Sequence, residues 1–351
     1  DQLILRAELR RLFRWLKDQG LTAVVTGEKG RDSLTRHGLE EYLSDCVIFL
    51  DHRVTEQLST RRLRVVKYRG SNHETDEYPF IIDEAGFSVL PITSVGLTYD
   101  APKEWISSGI PRLDTMLGEK GYYRGSSVLI SGSSGTGKTS FAGCFAEALC
   151  RKGNRCLYLA YEESPGQIIR NAASIGLHLK HWVDKGLLQL NAHRPTAYGL
   201  ERHLVSFHNL ARDFDPLAVV MDPISNLVSM GTASEVKTLL MRIIDYLKLE
   251  GITSVFTDLI SGDIGDLPAT EVGISSLIDT WILLRDLESG GEFNHGLRII
   301  KSRGMGHSNQ LREYRLTDHG VDILDVYTGP GGVLTGTSRV AQEEREKAEA
   351  R

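Results

Sequence analysis

Gly132-Ser133-Ser134-Gly135-Thr136-Gly137-Lys138-Thr139 is the stretch whose reading decides the fold. It fits GxxxxGK[ST], the pattern of a loop that wraps phosphates. The apolar run Ser127 to Ser131 before it reads as a short strand, and Lys138 to Arg151 after it as a helix. Glycines let backbone N–H groups turn inward, and the helix N-terminus adds the positive end of its dipole. Ser134, Gly135, Thr136, Gly137, Lys138, Thr139 and Ser140 would then line a nucleoside triphosphate. Lys138 would reach the β- and γ-phosphates and Thr139 would hold Mg2+. The plainer alternative is a glycine-rich turn without a nucleotide.

A phosphate loop needs an acidic partner at a neighbouring strand end. Leu217-Ala218-Val219-Val220-Met221-Asp222 supplies one, with Asp222 expected to hold Mg2+ through water; a strand-end capping Asp is the other reading. Leu157-Tyr158-Leu159-Ala160-Tyr161 runs into Glu162-Glu163. Carboxylates there suit general-base work on a hydroxyl or a water, with Glu162 also a candidate metal ligand. They would otherwise be solvated or capping residues. Arg155 to Ala160, Ala218 to Met221, Thr253 to Thr257 and Thr280 to Leu284 are further short β-forming runs, with helical segments between several of them. That alternation predicts an α/β fold with a mostly parallel sheet and crossover helices.

The chain also repeats itself. Lys67-Tyr68-Arg69-Gly70 returns as Lys301-Ser302-Arg303-Gly304, an offset of 234 residues. At the same offset His73 meets His307, Gly86 meets Gly320, and Leu43 and Asp45 meet Leu277 and Asp279. Trp15-Leu16-Lys17 and Gly20-Leu21-Thr22 match Tyr246-Leu247-Lys248 and Gly251-Ile252-Thr253 at offset 231, so a small insertion near Gly30 separates the blocks. The counterpart of the phosphate loop would lie roughly 95 residues before Asp1. The chain therefore reads as the back half of one domain joined to a complete second one. Pro91 to Ser108 reads as the linker between them. Gly329 to Thr337 reads as a second linker, and Ser338 to Arg351 as an exposed charged helix.

Composition sets the outer bounds. The 351 residues are 41% apolar and 25% charged, an ordinary globular balance that excludes disordered and collagen-like classes. Lys plus Arg number 41 against 46 Asp plus Glu, a net charge of −5. That argues against a protein built to neutralise nucleic-acid phosphates. Four cysteines without metal-ligand spacing read as free thiols, which with no long apolar run predicts a cytoplasmic chain with no membrane partner.

With these motifs in hand, the sequence resembles the KaiC circadian-clock ATPases of the RecA-like superfamily. The resemblance rests on Gly132 to Thr139, Tyr161-Glu162-Glu163-Ser164, Arg170-Asn171, Asp222, Ile274 to Thr280 and Lys301-Ser302-Arg303-Gly304. It implies a RecA-like P-loop NTPase fold in tandem KaiC domains. Residues 1–98 would be the C-terminal part of the first domain, 99–328 the complete second, and 329–351 a linker and tail. It implies ATP and Mg2+ as cofactors and a homo-hexameric ring, or paired rings, with ATP between subunits. Lys301, Ser302, Arg303 and His307 would reach the neighbour's nucleotide, with Lys301 and Arg303 directed at its γ-phosphate. Lys67, Tyr68, Arg69, Ser71 and His73 would serve a first-ring site in the same way. It further implies serine autokinase activity, with the reverse autophosphatase reaction, in a clock or timer protein. The phosphoacceptor pair falls on Ser275-Ser276, with Thr270 a further candidate, where spacing alone reads turn or cap residues. The first repeat carries Glu41-Tyr42 at that place.

The sequence departs from the cyanobacterial pattern in three places. The acceptor pair is Ser-Ser rather than Ser-Thr, Ile175 stands where that pattern has Trp, and the tail after Gly332 differs. A KaiB-like partner is compatible with the resemblance; a KaiA-type partner is not expected with this tail. Two other readings remain: a RecA/RadA-like DNA-dependent ATPase, weakened by the acidic balance and by the lack of a basic cluster near 222–240, and a nucleotide-gated scaffold without kinase activity.

Overall fold

The computed structural model describes residues 2–30, 34–35, 40–55, 58–83, 86–89, 102–197, 199–260, 273–289, 292–326, 328–329, 332–333 and 336–349. Contacts divide the chain into two units, Asp1–Ile92 and Thr93–Arg351. In the first unit, helix α1 (Gln2–Asp18) precedes a four-stranded antiparallel sheet of β1 (Cys46–Thr55), β2 (Leu58–Tyr68), β3 (Tyr78–Asp83) and β4 (Gly86–Val89), paired in that order.

The second unit is organised around β5 (Ser127–Gly132), all six residues of which are buried. The sequence after it alternates strands and helices: α2 (Lys138–Arg151), β6 (Cys156–Ala160), α3 (Pro165–Ala173), β7 (Leu188–Ala192), α4 (Leu200–Phe214), β8 (Ala218–Asp222), α5 (Ala233–Leu249) and β9 (Thr253–Leu259). Then come β10 (Thr280–Ser289), β11 (Glu292–Ser302), β12 (Arg312–Thr317), β13 (Gly320–Ile323) and the tail helix α6 (Gly336–Glu349). The nine strands form one sheet in the order β13-β12-β11-β10-β5-β9-β8-β6-β7. From β10 to β7 neighbours are parallel; β11, β12 and β13 are added antiparallel. Side chains alternate across the sheet. Val128, Ile130, Tyr158, Val220, Val255 and Ile282 pack with α2 in one core. Leu129, Leu157, Val219 and Phe256 are buried on the other face, where α5 packs against β9 and α4. The phosphate loop thus lies at the carboxyl end of a central parallel strand, where α/β sheets bind ligands.

The repeat read in the sequence returns as a repeat of elements. The strands β1, β2, β3 and β4 begin and end 234 residues before β10, β11, β12 and β13. Even the bulge is copied, between Val47 and Ile48 in the first unit and between Trp281 and Ile282 in the second. Helices α1 and α5 begin and end 231 residues apart, and Gly20 and Gly251 close them with the same φ of 65°. The counterpart of β9 breaks the pattern, for residues 21–30 form no ladder. β9 is held between β5 and β8, whereas among the described residues of the first unit 21–30 pair with no strand. Val24 is accordingly 92% exposed where Val255 is 0% exposed.

The expected linker ends earlier than its composition suggests. Trp105–Ile106 pairs with Tyr122–Tyr123, and Asp114 accepts hydrogen bonds from the Ser107 hydroxyl (2.5 Å), the Ser108 N–H (2.8 Å) and the Ser108 hydroxyl (2.6 Å). Ser107-Ser108-Gly109 is therefore an anchored turn of the second unit. At Gly109 φ is +83°, and a Cβ there would stand 2.3 Å from the Cys144 carbonyl oxygen of α2. The tail helix begins at Gly336, two residues before the expected Ser338, tied at its base by the Gly336 N–H to Glu313 (3.2 Å) and the Thr337 hydroxyl to Glu292 (2.8 Å). The four cysteines are free. No helix among the described residues is long and apolar enough to cross a membrane.

Gly109→Ala is expected to destabilise the second unit by about 3 kcal/mol, through left-handed strain plus displacement of α2. Gly153 has φ +81° with nothing within 4 Å, so Gly153→Ala should cost only about 1 kcal/mol. Urea denaturation of the two variants measures the difference.

Candidate nucleotide site

Gly137, at φ 80°, ends the loop and begins α2, and Ser140 and Phe141 donate to its carbonyl at 2.9 and 3.1 Å. The Thr136 hydroxyl donates to the Ser133 carbonyl (2.9 Å), and the buried Tyr314 hydroxyl donates to the Thr136 carbonyl. Ser134 and Gly135 remain exposed, with φ +86° and open space at Gly135. Lys138 is buried and donates from Nζ to the carbonyls of Gly132 (3.0 Å) and Ser133 (2.7 Å). Burial lowers its pKa, while the carboxylates of Asp222, Asp258 and Glu162 act the other way. Among the described residues no carboxylate pairs with it directly, and its Nζ is aimed by two backbone oxygens. A held ammonium beside an open glycine loop at a helix N-terminus suits a polyphosphate.

Asp222 ends β8 and is 7% exposed. Its carboxylate accepts from the Tyr158 hydroxyl (2.6 Å) and the Thr257 hydroxyl, which arrive from the flanking strands β6 and β9. Each carboxylate oxygen thus has one hydroxyl donor and spare lone pairs, a donor set that fits metal-bound water. Thr139, in the first turn of α2, is the other residue that would hold Mg2+. Glu162 and Glu163 follow β6. The Glu163 carboxylate accepts from Asn171 Nδ2 of α3 (3.1 and 3.3 Å), and Ser164 caps that helix with Gln167 in a capping box. The Glu162 carboxylate is exposed and makes no hydrogen bond or ion pair among the described residues. Its field reaches Lys138.

The remaining candidates gather at the other end of the sheet. Asp279, just before β10, donates its N–H to the Ser127 carbonyl (2.9 Å). Its carboxylate accepts from the Ser127 N–H (2.9 Å) and hydroxyl (2.9 Å) and pairs with Lys248 (2.9 Å). Lys301 Nζ donates to the Ser275 carbonyl, and Arg303 Nη2 to the Ser276 carbonyl (2.8 Å). Burial and then the Arg303 charge lower the Lys301 pKa. Ser302 pairs with the Thr280 hydroxyl (2.9 Å), and His307 Nδ1 lies 3.1 Å from the Ser308 carbonyl. Ser275 is half-buried and Ser276 exposed. Thr270 lies outside the described residues.

The first unit repeats the grip. Lys67 Nζ (3.3 Å) and Arg69 Nη2 (3.2 Å) donate to the Tyr42 carbonyl, and Asp45 pairs with Lys17 (2.8 Å). Tyr68, Ser71 and His73 flank it, with the Ser71 hydroxyl on the Asn72 carbonyl (3.1 Å).

Sequence reasoning missed Asp258, Tyr158, Thr257 and Trp281. Asp258 is fully buried one residue past the predicted strand, and its charge acts on Lys138. A signal was present: Phe256-Thr257-Asp258 puts an acid near the end of its strand, as Val220-Met221-Asp222 does at the end of the neighbouring one. Tyr158 and Thr257 looked like plain strand residues, and Trp281 Nε1 donates to the Ser131 hydroxyl (2.7 Å) across the sheet.

Comparison with known proteins bears on this arrangement. The family model described as "ATPase: KaiC" matches residues 1–94 and 106–327. Circadian clock protein KaiC2 of Synechocystis sp. is 56% identical over 349 residues, covering 99% of this chain and 61% of that protein. KaiC3 of the same organism is 32% identical, covering 99% of this chain and 69% of its own length. The circadian clock oscillator protein KaiC of Synechococcus elongatus is 33% identical, covering 97% and 66%. The chain thus spans 61% to 69% of the length of these relatives.

Asp279→Ala should destabilise the second unit by about 2–4 kcal/mol, since it leaves Lys248 and the Ser127 donors without their acceptor. Asp45→Ala, at the exposed copy of the cluster, should shift the unfolding midpoint far less. Thermal unfolding of both variants reads the contrast.

Proposed function

The chain belongs to the KaiC ATPase family, and from that premise we propose that it binds and hydrolyses ATP at Gly132–Thr139 and phosphorylates Ser275 and Ser276 of an adjacent copy in a hexameric ring. The observation that carries the transfer between copies is the length of β5. The phosphate loop leaves its carboxyl end, whereas Asp279 docks the acceptor segment on Ser127 at its amino end. Six extended residues separate the two by roughly 17 Å, at about 3.3 Å per step. A γ-phosphate bound by one chain is therefore out of reach of that chain's own serines and faces outward to a neighbour.

The chemistry follows from the side chains. Lys138, fixed by two carbonyls, presents its charge to the β- and γ-phosphates. Glu162 takes the proton from a neighbour's serine hydroxyl, or from water in hydrolysis, as the oxygen–phosphorus bond forms and ADP leaves. Glu163 is held by Asn171, which favours Glu162 for this role. Mg2+ bound through Thr139 and Asp222 would neutralise the developing charge on the phosphates. Lys301 and Arg303 sit on the acceptor segment, where they would add positive charge at the junction between copies. The relatives' names place such proteins in a circadian clock, and we read the phosphorylation state of Ser275-Ser276 as a timing signal on that ground.

Glu162→Gln is expected to keep ATP affinity while slowing hydrolysis and autophosphorylation by roughly 10²–10⁴-fold; full rates would show a structural carboxylate. Mixing tests the route of transfer. A Lys138→Ala chain with intact serines should gain phosphate when assembled with a Ser275→Ala/Ser276→Ala chain, as read by mass spectrometry. Phosphate confined to chains with their own intact loop would refute transfer between copies.

A further inference from the structure

Among the described residues Glu162 has no partner that aims it, so its position depends on the residue before it. Tyr161 is buried, and its backbone is held on both sides. Its N–H donates to the Asp222 carbonyl (2.8 Å), and its carbonyl accepts from Asn226 Nδ2 (3.4 Å). The ring is held by two imidazoles. It meets His193 edge-on at 5.6 Å and 87°, and His203 at 6.4 Å and 73°. The two histidines stack on each other at 5.0 Å and 16°. His193 follows β7 and donates its backbone N–H to the Ala160 carbonyl (3.1 Å), immediately before Tyr161. His203 lies in α4.

The pair is wired as a relay. His203 Nε2 is 2.9 Å from the Pro195 carbonyl, which only accepts, so that nitrogen carries the proton. In neutral His203, Nδ1 then accepts from His193 Nε2–H across 3.2 Å. His193 Nδ1 in turn lies 3.0 Å from Asn191 Oδ1, and turning that amide over puts its NH2 there as a donor. With the Asn191 NH2 facing the ring, one arrangement of protons satisfies all three contacts and leaves both rings neutral; with Oδ1 facing it, one ring would have to carry a charge, which burial of the pair opposes.

We propose that the stacked pair His193–His203 is a positioning device for the ATPase and kinase reactions, holding Tyr161 so that Glu162 stands where it can take the proton. The proposal rests on the reading of Glu162 as the base. Neither histidine touches the reacting atoms; both act through Tyr161. An apolar pair would fill the same space, but only the relay ties the end of β7, the turn at Pro195 and α4 into one support for the elbow.

Protonation undoes the support. A second proton on His203 Nδ1 would set N–H against N–H. Burial comes first in keeping His203 neutral, the Pro195 hydrogen bond opposes it, and His193 and Arg202 add to it. Arg202 on α4 repels a charged His203, Asn191 and the Pro195 carbonyl carry no charge, and burial raises the Tyr161 hydroxyl so that it stays protonated. Burial lowers the pKa of both histidines from 6.5, with His193 adding to the effect on His203. The fold therefore holds the neutral pair at pH 7. That contribution is present above 6.5 and is lost as the pH falls below it.

The test uses the full chain with Mg·ATP, measuring hydrolysis and Tm from pH 5.5 to 8.5. His193→Phe keeps a ring against Tyr161 and breaks the relay. At pH 8 its kcat should fall about tenfold or more, as expected for a displaced catalytic group, with KM within about twofold of wild type. The wild-type loss of kcat below pH 6.5 should be absent or displaced in this variant. Wild-type kcat and pH profile in His193→Phe would overturn the proposal, as would equal losses in kcat, KM and Tm, which mark a merely structural site. If the Phe chain does not fold, His193→Asn, which cannot overfill the site, carries the same comparison. Glu162→Gln is run in parallel. A full rate there overturns the base assignment and this proposal with it, whereas a slow Glu162→Gln beside a full-rate His193→Phe overturns the positioning role alone.

Discussion

Ser127 and Asp279 hold each other through backbone and side chain, and the second unit is organised from that contact. It fixes the start of β5 against the start of β10. From there β5 runs to the phosphate loop, and β10 pairs with it in parallel register to Gly132. The Asp279 carboxylate also brings Lys248 from the end of α5, so the helix on that face is referred to the same point. With the contact in place, the loop and the segment carrying Ser275 and Ser276 become opposite ends of one strand. The separation that supports transfer between copies is thus a property of β5 itself.

Much of this was legible because it is local or periodic. The α2 boundaries, Lys138 and Arg151, were readable because the loop supplies a glycine start and the helix ends at Lys152-Gly153. The repeat was readable because identical elements carry identical turn chemistry, down to the glycines closing α1 and α5. What sequence could not supply was which side chains meet across strands. Tyr158 and Thr257 are ordinary β-formers until strand order puts β8 between β6 and β9, when their hydroxyls converge on Asp222. The turn at Ser107-Ser108-Gly109 has a linker's composition and a cap's function, because Asp114 lies within reach only after the chain turns. The His193–His203 stack is invisible for the same reason, since the two residues come from different elements.

The two copies of the cation cluster show how much surroundings decide. Lys17, Asp45 and Arg69 make the same pairs as Lys248, Asp279 and Arg303. The Asp45 side chain is 51% exposed and that of Asp279 is 19% exposed. Hydrogen bonding to Lys17 lowers the Asp45 pKa, yet water and salt screen that pair. Around Asp279 the buried strand Ser127–Gly132 displaces water, so the same residues become a clamp whose loss leaves polar groups stranded. Chemical identity is repeated between the copies; energetic weight is not.

The proposed acceptor chemistry can belong to one copy because the grip itself is indifferent to the side chains it holds. In both units the cations grip backbone carbonyls, Tyr42 in the first and Ser275 and Ser276 in the second. A carbonyl is supplied by every residue, so the grip places no demand on the side chains of the segment it holds. The first unit keeps the grip with Glu41-Tyr42 in sequence and the second with Ser275-Ser276, and the described contacts in both go to backbone carbonyls. The segment is thus a backbone clamp on which hydroxyls can be presented at no cost to the fold. Whether it serves as a phosphoacceptor is decided by the residues at 275 and 276 and by the adjacent nucleotide, independently of the interactions that hold it in place.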